Sequence, residues 1–283
     1  MRIDKRVDYL QYTSDVVPRF LGSEFLRRRS PLPFYKACQE YPCGTLMYYG
    51  NVNSEKYLIQ MPGRACEEYT VKGELLPLKT CFDYGGRVSR LDLAVTAEGN
   101  ENLEKFRIAV GNDMVLSDRF ENDAPKLICS KDGSVETVYV GSLKNRGKKG
   151  IFRAYDKGLE SGLAANFSRF ELEIRRKPAT TAARRLNIGH DIGDIIRNVI
   201  DIPGDEWWVD MMGAKSEKLP SFKGEPETDP IARRWHWLCE QVAPALAKLI
   251  LLDNLQCTSN YDRFHDRVTI EIEKARQLDR KLQ

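Results

Sequence analysis

Histidine is scarce in this chain: three in 283 residues, at positions 190, 236 and 265, each isolated. No His-hydrophobic-His pair can be assembled, so the cation site of nickases that use that pair is excluded. His190 and His236 read as structural residues. No HxxR precedes Tyr261, the one late tyrosine, which argues against a tyrosine-recombinase arrangement. A phosphate-cradling P-loop is missing too, so nothing in the sequence points to nucleotide hydrolysis. The seven cysteines are an odd number without a CxxC pair. Cys38 and Cys43 have no second Cys/His pair nearby to complete a zinc site, and reduced thiols are the expectation. No apolar run approaches the roughly 20 residues needed to cross a bilayer. The longest, residues 243–252, is broken by Pro244 and Lys248. The opening MRIDKRVDYLQY carries charge where a secretion signal needs an apolar stretch, so a cytoplasmic location is expected.

What is present is a soluble composition, 42% hydrophobic and 30% charged, with its charge unevenly spread. The net charge is only +3, yet residues 142–190 hold twelve Lys/Arg against four Asp/Glu. Residues 191–230 reverse this, with ten acids against four bases. A basic segment around a site favours a phosphate-rich ligand.

Period-two patterning predicts strands over residues 7–13, 45–49, 56–61, 88–95, 137–141, 151–156 and 169–175. Helices are predicted over 34–41, 102–110 and 188–200, and the triplet Arg27-Arg28-Arg29 also reads as helical. A polar basic turn spans residues 144–150. Residues 215–230 read as a linker, followed by helices over 231–252 and 261–282. The expected fold is α+β: a largely antiparallel sheet with flanking helices over residues 1–214, the linker, then a small helical part over 231–283.

Three of the strands set apolar residues on one face and chemically useful ones on the other: Arg90/Asp92, Arg153/Tyr155/Lys157 and Arg169/Glu171/Glu173. If these strands are neighbours, Asp92, Glu171 and Glu173 can converge on one hard cation, Mg2+ or Mn2+. A tyrosine beside it can attack phosphorus while Arg and Lys hold flanking phosphates. The alternative reading is a set of ion pairs on an exposed sheet. Tyr139, without flanking cations, reads as core or sheet surface. Trp207 and Trp208 read as a cap on the domain edge, and Trp235 and Trp237 as core.

The run Thr137-Val138-Tyr139-Val140-Gly141-Ser142, then Phe152-Arg153-Ala154-Tyr155-Asp156-Lys157-Gly158 with Glu160, then Arg169-Phe170-Glu171-Leu172-Glu173, resembles the signature of the Rep_trans replication initiation factors. Arg90-Leu91-Asp92-Leu93-Ala94 is similar to that family's upstream strand, and Val7-Asp8-Tyr9-Leu10 to its opening. Gly63-Arg64-Ala65-Cys66 loosely echoes a glycine-cysteine element between them.

The resemblance covers roughly residues 7–200, with a weaker echo in the helix over 235–249. It implies a rolling-circle replication initiator that nicks and rejoins DNA through a 5′-phosphotyrosine. Tyr155 falls at the nucleophile, with Arg153 and Lys157 beside it. Asp92 and Glu171 fall on the metal-binding carboxylates, with Glu173 a third candidate. Arg90, Lys144, Arg146, Lys148, Lys149, Arg169, Arg175 and Arg176 are the expected DNA contacts. Where the family often carries a second acid this chain has Thr96, with Glu98 a substitute.

DNA, single-stranded at the nick, is the expected partner. A host helicase and polymerase would act next, and the C-terminal helices would serve origin recognition or homodimer contacts. Two alternatives remain: a conjugative relaxase with the same chemistry, and a non-catalytic DNA-binding protein or repressor.

Overall fold

The computed structural model describes residues 2–117, 119–120, 126–129, 136–162, 166–215, 250 and 265–267. The chain divides into two units, Met1–Gly224 and Glu225–Gln283. Apart from these few positions, the expected linker and the two C-terminal helices lie outside the described residues. The strands and helices named below all belong to the first unit.

Its strands, in chain order, are β1 (Ile3–Ser14), β2 (Arg27–Arg29), β3 (Ala37–Glu40), β4 (Leu46–Tyr49), β5 (Tyr57–Pro62), β6 (Thr70–Val71), β7 (Glu74–Leu75), β8 (Arg87–Glu98), β9 (Lys126–Cys129), β10 (Glu136–Val140), β11 (Gly150–Asp156) and β12 (Phe167–Arg175). The α-helices are α1 (Gly63–Glu68), α2 (Leu76–Asp83), α3 (Glu101–Gly111), α4 (Arg146–Lys149), α5 (Lys157–Glu160), α6 (Lys177–Asn187), α7 (Ile192–Arg197) and α8 (Glu206–Met212). Ten strands form one sheet in the order β2-β3-β4-β5-β1-β8-β12-β11-β10-β9. Every neighbouring pair runs antiparallel. The expected α+β class with a large antiparallel sheet is what the chain adopts.

The apolar residues of β8, β11 and β12 build the core. Leu91, Leu93 and Val95 pair across with Ile174, Leu172 and Phe170, and Leu172 with Phe152. All of these are buried, under α3, α6, α7 and α8. Phe106 of α3 sits 5.5 Å from Phe152, 5.7 Å from Phe170 and 6.0 Å from Trp208, centroid to centroid. Trp208 is therefore core rather than a cap on the domain edge. Its indole nitrogen donates to Asp201 at 3.0 Å, which satisfies the one polar atom the ring takes inside.

Three expectations change. Residues 27–29 and 34–41 are not helical: Arg27-Arg28-Arg29 is a strand, and β3 joins it in a hairpin. The segment is too short to repay a helix nucleus, Pro31 and Pro33 interrupt it, and cross-strand pairing of Arg27, Arg28 and Arg29 with Glu40, Gln39 and Cys38 takes the backbone groups instead. Of the helix expected over 188–200 only α7 forms, while α6 ends just before that stretch. Gly189, in the left-handed region, breaks α6, and Asp191 caps α7 by accepting from the Gly193 amide at 2.8 Å. The basic turn contains the single helical turn α4.

Cys38, Cys66 and Cys81 are free and buried, and Cys43 is free and partly buried. Among the described residues no helix is long and apolar enough to cross a membrane.

Candidate active site

Opposite residues in an antiparallel pair point to the same side of the sheet, so the registers define rows. On the face away from the helical core, one row runs Asp92, Glu173, Ile151 across β8, β12 and β11. The next runs Ala94, Glu171, Arg153, Tyr139, ending on β10. The third runs Thr96, Arg169, Tyr155, Thr137. The three predicted strands are thus adjacent, and their polar faces coincide.

Gly150 makes the close start of β11 feasible: it has a positive φ, and a Cβ there would lie 1.9 Å from the Glu173 carbonyl oxygen. At the other end, Asp156 caps α5 by accepting from the Leu159 amide at 3.0 Å. That cap turns the chain directly after Tyr155 and sets Lys157 6.0 Å from its ring.

The Tyr155 hydroxyl donates to Glu171 Oε1 at 2.7 Å. The same oxygen accepts from Arg169 Nε at 2.6 Å, and Arg153 holds Glu171 Oε2. Arg169 reaches on to Asp8 at 2.7 Å and to Thr96 Oγ1 at 2.9 Å. Asp8 sits at a β-bulge in β1, between Val7 and Tyr9 in the register with β8, which aims its carboxylate along the face. Gly63 keeps α1 close to that bulge, since a Cβ there would lie 2.6 Å from Asp8 Oδ1.

A second cluster adjoins the first. Arg90 holds Asp92 through both oxygens, at 2.9 and 2.5 Å, and reaches Glu173 at 3.2 Å. Arg146 from α4 and Arg175 donate to the two Glu173 oxygens, each at 2.6 Å. The Arg90 guanidinium also lies 4.2 Å over the Tyr9 ring.

These groups are not the exposed ion pairs of the alternative reading. Tyr155, Asp92, Glu171 and Glu173 are all buried, so their protonation states respond to the environment. Burial, then the charge of Glu171 and the hydrogen bond to it, raises the Tyr155 phenol well above its ordinary value. Burial alone would raise Glu171, but the Arg153 and Arg169 guanidiniums outweigh it and hold the carboxyl below its usual range. Glu173 is likewise held low against its burial by Arg146 and Arg175. For Asp92 burial prevails: despite Arg90, and helped by the charges of Glu173 and Glu171, its pKa rises to about 6.

Oxygen donors of this kind suit Mg2+ or Mn2+. In this arrangement, however, both oxygens of Asp92, Glu171 and Glu173 are taken by guanidiniums or by the phenol. Among the described residues no three His, Cys, Asp or Glu side chains converge as a cation cage. The full width of β12 separates Tyr155 from Asp92, and the phenol contacts Glu171 instead.

Of the expected phosphate contacts, Arg90, Arg146, Arg169 and Arg175 are engaged by acids, whereas Lys144, Lys148 and Arg176 are exposed and Lys149 is partly buried. Lys157 pairs with Glu160, and Glu98 is exposed at the end of β8. His190 lies 3.4 Å from Asp194.

The sequence pattern did not reveal Asp8, Tyr9 or Tyr139 as members of this face. Tyr139 does have a cation beside it, because Arg153 is its cross-strand partner. The break in alternation at Val7-Asp8-Tyr9 was the one available sign of the bulge. A cavity of about 1020 Å³ opens between β1, α1, α2 and the α6–α7 connection, and none of Tyr155, Asp92, Glu171 or Glu173 lines it.

Among known proteins, the sequence profile of Rep_trans, replication initiation factors, matches residues 86–266. The segment includes the motifs from Arg90 to Glu173 and excludes those at Val7 and Gly63. The fold is similar to that of the rolling circle replication initiator protein from Geobacillus stearothermophilus, with 20% identity over 75% of this chain and 96% of that one and a TM-score of 0.59. No curated relative matches the chain.

Proposed function

Because this chain belongs to the Rep_trans family of replication initiation factors, we propose that it starts rolling-circle replication by nicking one DNA strand and holding the cut end on Tyr155. The observation that carries this reading is the buried Tyr155–Glu171 hydrogen bond of 2.7 Å inside a ring of guanidiniums. A tyrosine needed only for packing has no use for so much positive charge around its oxygen.

The chemistry runs as a phosphoryl transfer. The Tyr155 oxygen bonds to phosphorus, the bond to the 3′ oxygen breaks, and the phenol proton ends on that leaving oxygen by way of Glu171. At rest Glu171 is a weak base, because Arg153 and Arg169 hold it ionised. A phosphodiester competes for Arg153, and as that guanidinium turns towards phosphate Glu171 becomes more basic when its proton-accepting role begins. The displaced guanidinium meets charge developing on the phosphoryl oxygens. Because the phosphotyrosine conserves the energy of the broken bond, rejoining needs no nucleotide cofactor.

The acids do not form a cation cage as folded, so no step is routed through a metal. Mg2+ or Mn2+ would be held by Asp92 once Arg90 leaves it, joined by Glu173 once Arg146 and Arg175 also release its oxygens, and would supply further charge neutralisation at phosphate. DNA is the proposed partner, single-stranded at the scissile bond. A host helicase and polymerase would act on the exposed 3′ end.

The test is a supercoiled plasmid carrying the element's own origin, incubated with the protein and Mg2+ or Mn2+. Open circles with protein-linked ends, absent with Tyr155→Phe, are expected. Specific binding without any nick would instead favour a repressor.

A further inference from the structure

The register links the active-site face to the far edge of the sheet. Arg90 stands opposite Gln11, and Gln11 opposite Gln60. Gln60 stands opposite Leu46, Leu46 opposite Glu40, and Glu40 opposite Arg27. The Gln60 amide donates to Gln11 at 3.1 Å, as neighbours on one face should. Arg27, and Arg29 two residues on, therefore project from the same side of the sheet as Tyr155, while Arg28 projects from the other.

This edge is built for a polyanion. Residues 25–41 carry four bases against one acid. That acid, Glu40, accepts from Arg27 at 2.7 Å and also binds Arg29, so one carboxylate fixes both guanidiniums and leaves an excess of positive charge. The Arg27 and Arg29 side chains remain 61% and 46% exposed, against 29% and 2% for Arg153 and Arg169 beside Tyr155. Their spacing along the strand is about 6.7 Å, close to two steps of about 3.4 Å along the DNA helix axis. Charge on the outermost strand also discourages pairing with another protein's strand, which favours nucleic acid over an added strand as the occupant.

We propose that Arg27 and Arg29 form a second DNA site that grips duplex backbone flanking the nick, on the same face as the catalytic strands. The proposal rests on the initiator reading. From β2 to β11 there are seven strand steps, about 34 Å along the sheet at about 4.8 Å each. That length is roughly one turn of B-DNA, so the contact should fall about one helical turn from the scissile bond, or slightly less given sheet twist.

The experiment compares wild type, the pair Arg27→Ala with Arg29→Ala, the pair Arg27→Lys with Arg29→Lys, and Arg28→Ala. Each is measured for affinity to origin duplex over a salt series, for backbone footprint, and for cleavage of a single-stranded oligonucleotide spanning the nick. The alanine pair should bind duplex about tenfold more weakly, with a salt slope lower by about two, and lose protection about one turn from the nick. Its single-strand cleavage should match wild type. The lysine pair should recover most of the affinity, and Arg28→Ala, on the opposite face, should change little.

Unchanged duplex affinity in the alanine pair overturns the proposal. So does an equal fall in single-strand cleavage, which would mean the substitutions act through the fold or the catalytic face. If wild type cleaves nothing, the initiator reading fails separately, and the duplex comparison still decides whether this edge binds DNA.

Discussion

Tyr155 and Glu171 are diagonal neighbours on β11 and β12, one row apart, and the phenol of the first donates to the carboxylate of the second at 2.7 Å. A substitution at either end tests this contact, with different expected signatures. Tyr155→Phe removes one buried hydrogen bond, so it should cost about 1 kcal/mol of stability. It should also abolish the covalent DNA adduct, as read by denaturing gel.

Glu171→Gln is the more damaging change to the fold. It keeps the volume but leaves Arg153 and Arg169 without their shared acid, and Asp8 then serves Arg169 alone. Breaking a buried ion pair from one side typically costs about 3–5 kcal/mol. Denaturant unfolding should show a loss of that order, and single-strand cleavage should fall at least about a hundredfold under conditions where the variant is folded. Full cleavage by the folded variant would remove Glu171 from the proton path.

The raised Asp92 pKa makes a prediction about stability and pH. Its folded value is about 6 against an ordinary 3.8. The folded state therefore binds more protons than the unfolded chain between about pH 4 and pH 6, and this residue's contribution to stability falls as pH climbs through that window. A shift of two units is about 3 kcal/mol. In chelator, the stability of Asp92→Asn relative to wild type should rise by up to that amount from about pH 4 to about pH 7. A difference that stays flat across the window would show that Asp92 ionises without cost.

Arg90 occupies both oxygens that a divalent cation would use on Asp92. Arg90→Gln should therefore tighten Mn2+ binding, by about tenfold if the gain is near 1.4 kcal/mol, measured by calorimetry without DNA. Adding Asp92→Ala should abolish the gain. An Arg90→Gln protein that binds Mn2+ no better than wild type would place any cation elsewhere.

On the apolar side, Trp208→Ala empties a cavity bounded by Phe106 and Phe170 and leaves Asp201 without its indole donor. A loss of about 3–5 kcal/mol is expected by thermal or denaturant unfolding. Specific cleavage per folded molecule should be unchanged at low temperature.

Much of this was legible in the sequence because β12 alternates strictly and β8 and β11 largely do. Leu91, Leu93 and Val95 could only face a core, which left Arg90, Asp92 and Ala94 to share the other side. Period two fixes which face a residue takes but not which strands are neighbours; that came with the registers. The Arg27–Arg29 triplet misled because arginine is a good helix former and three residues carry no period. The strand state there depends on β3, a partner that local propensity cannot see. Asp8 escaped notice because a bulge depends on the pairing of two strands, and the arginine partners of the acids because alternation says nothing about which charges meet.

Five guanidiniums, Arg90, Arg146, Arg153, Arg169 and Arg175, share the carboxylates of Asp8, Asp92, Glu171 and Glu173. The protein thus carries its own internal counter-ions, and any incoming anion must outbid them. A free nucleotide or inorganic phosphate can offer a few oxygens at one point and would dislodge little. A polynucleotide draped over several strands offers many at once and can exchange partners one by one. The shared pairing of these five arginines with four acids thus favours ligands of many charges over ligands of few.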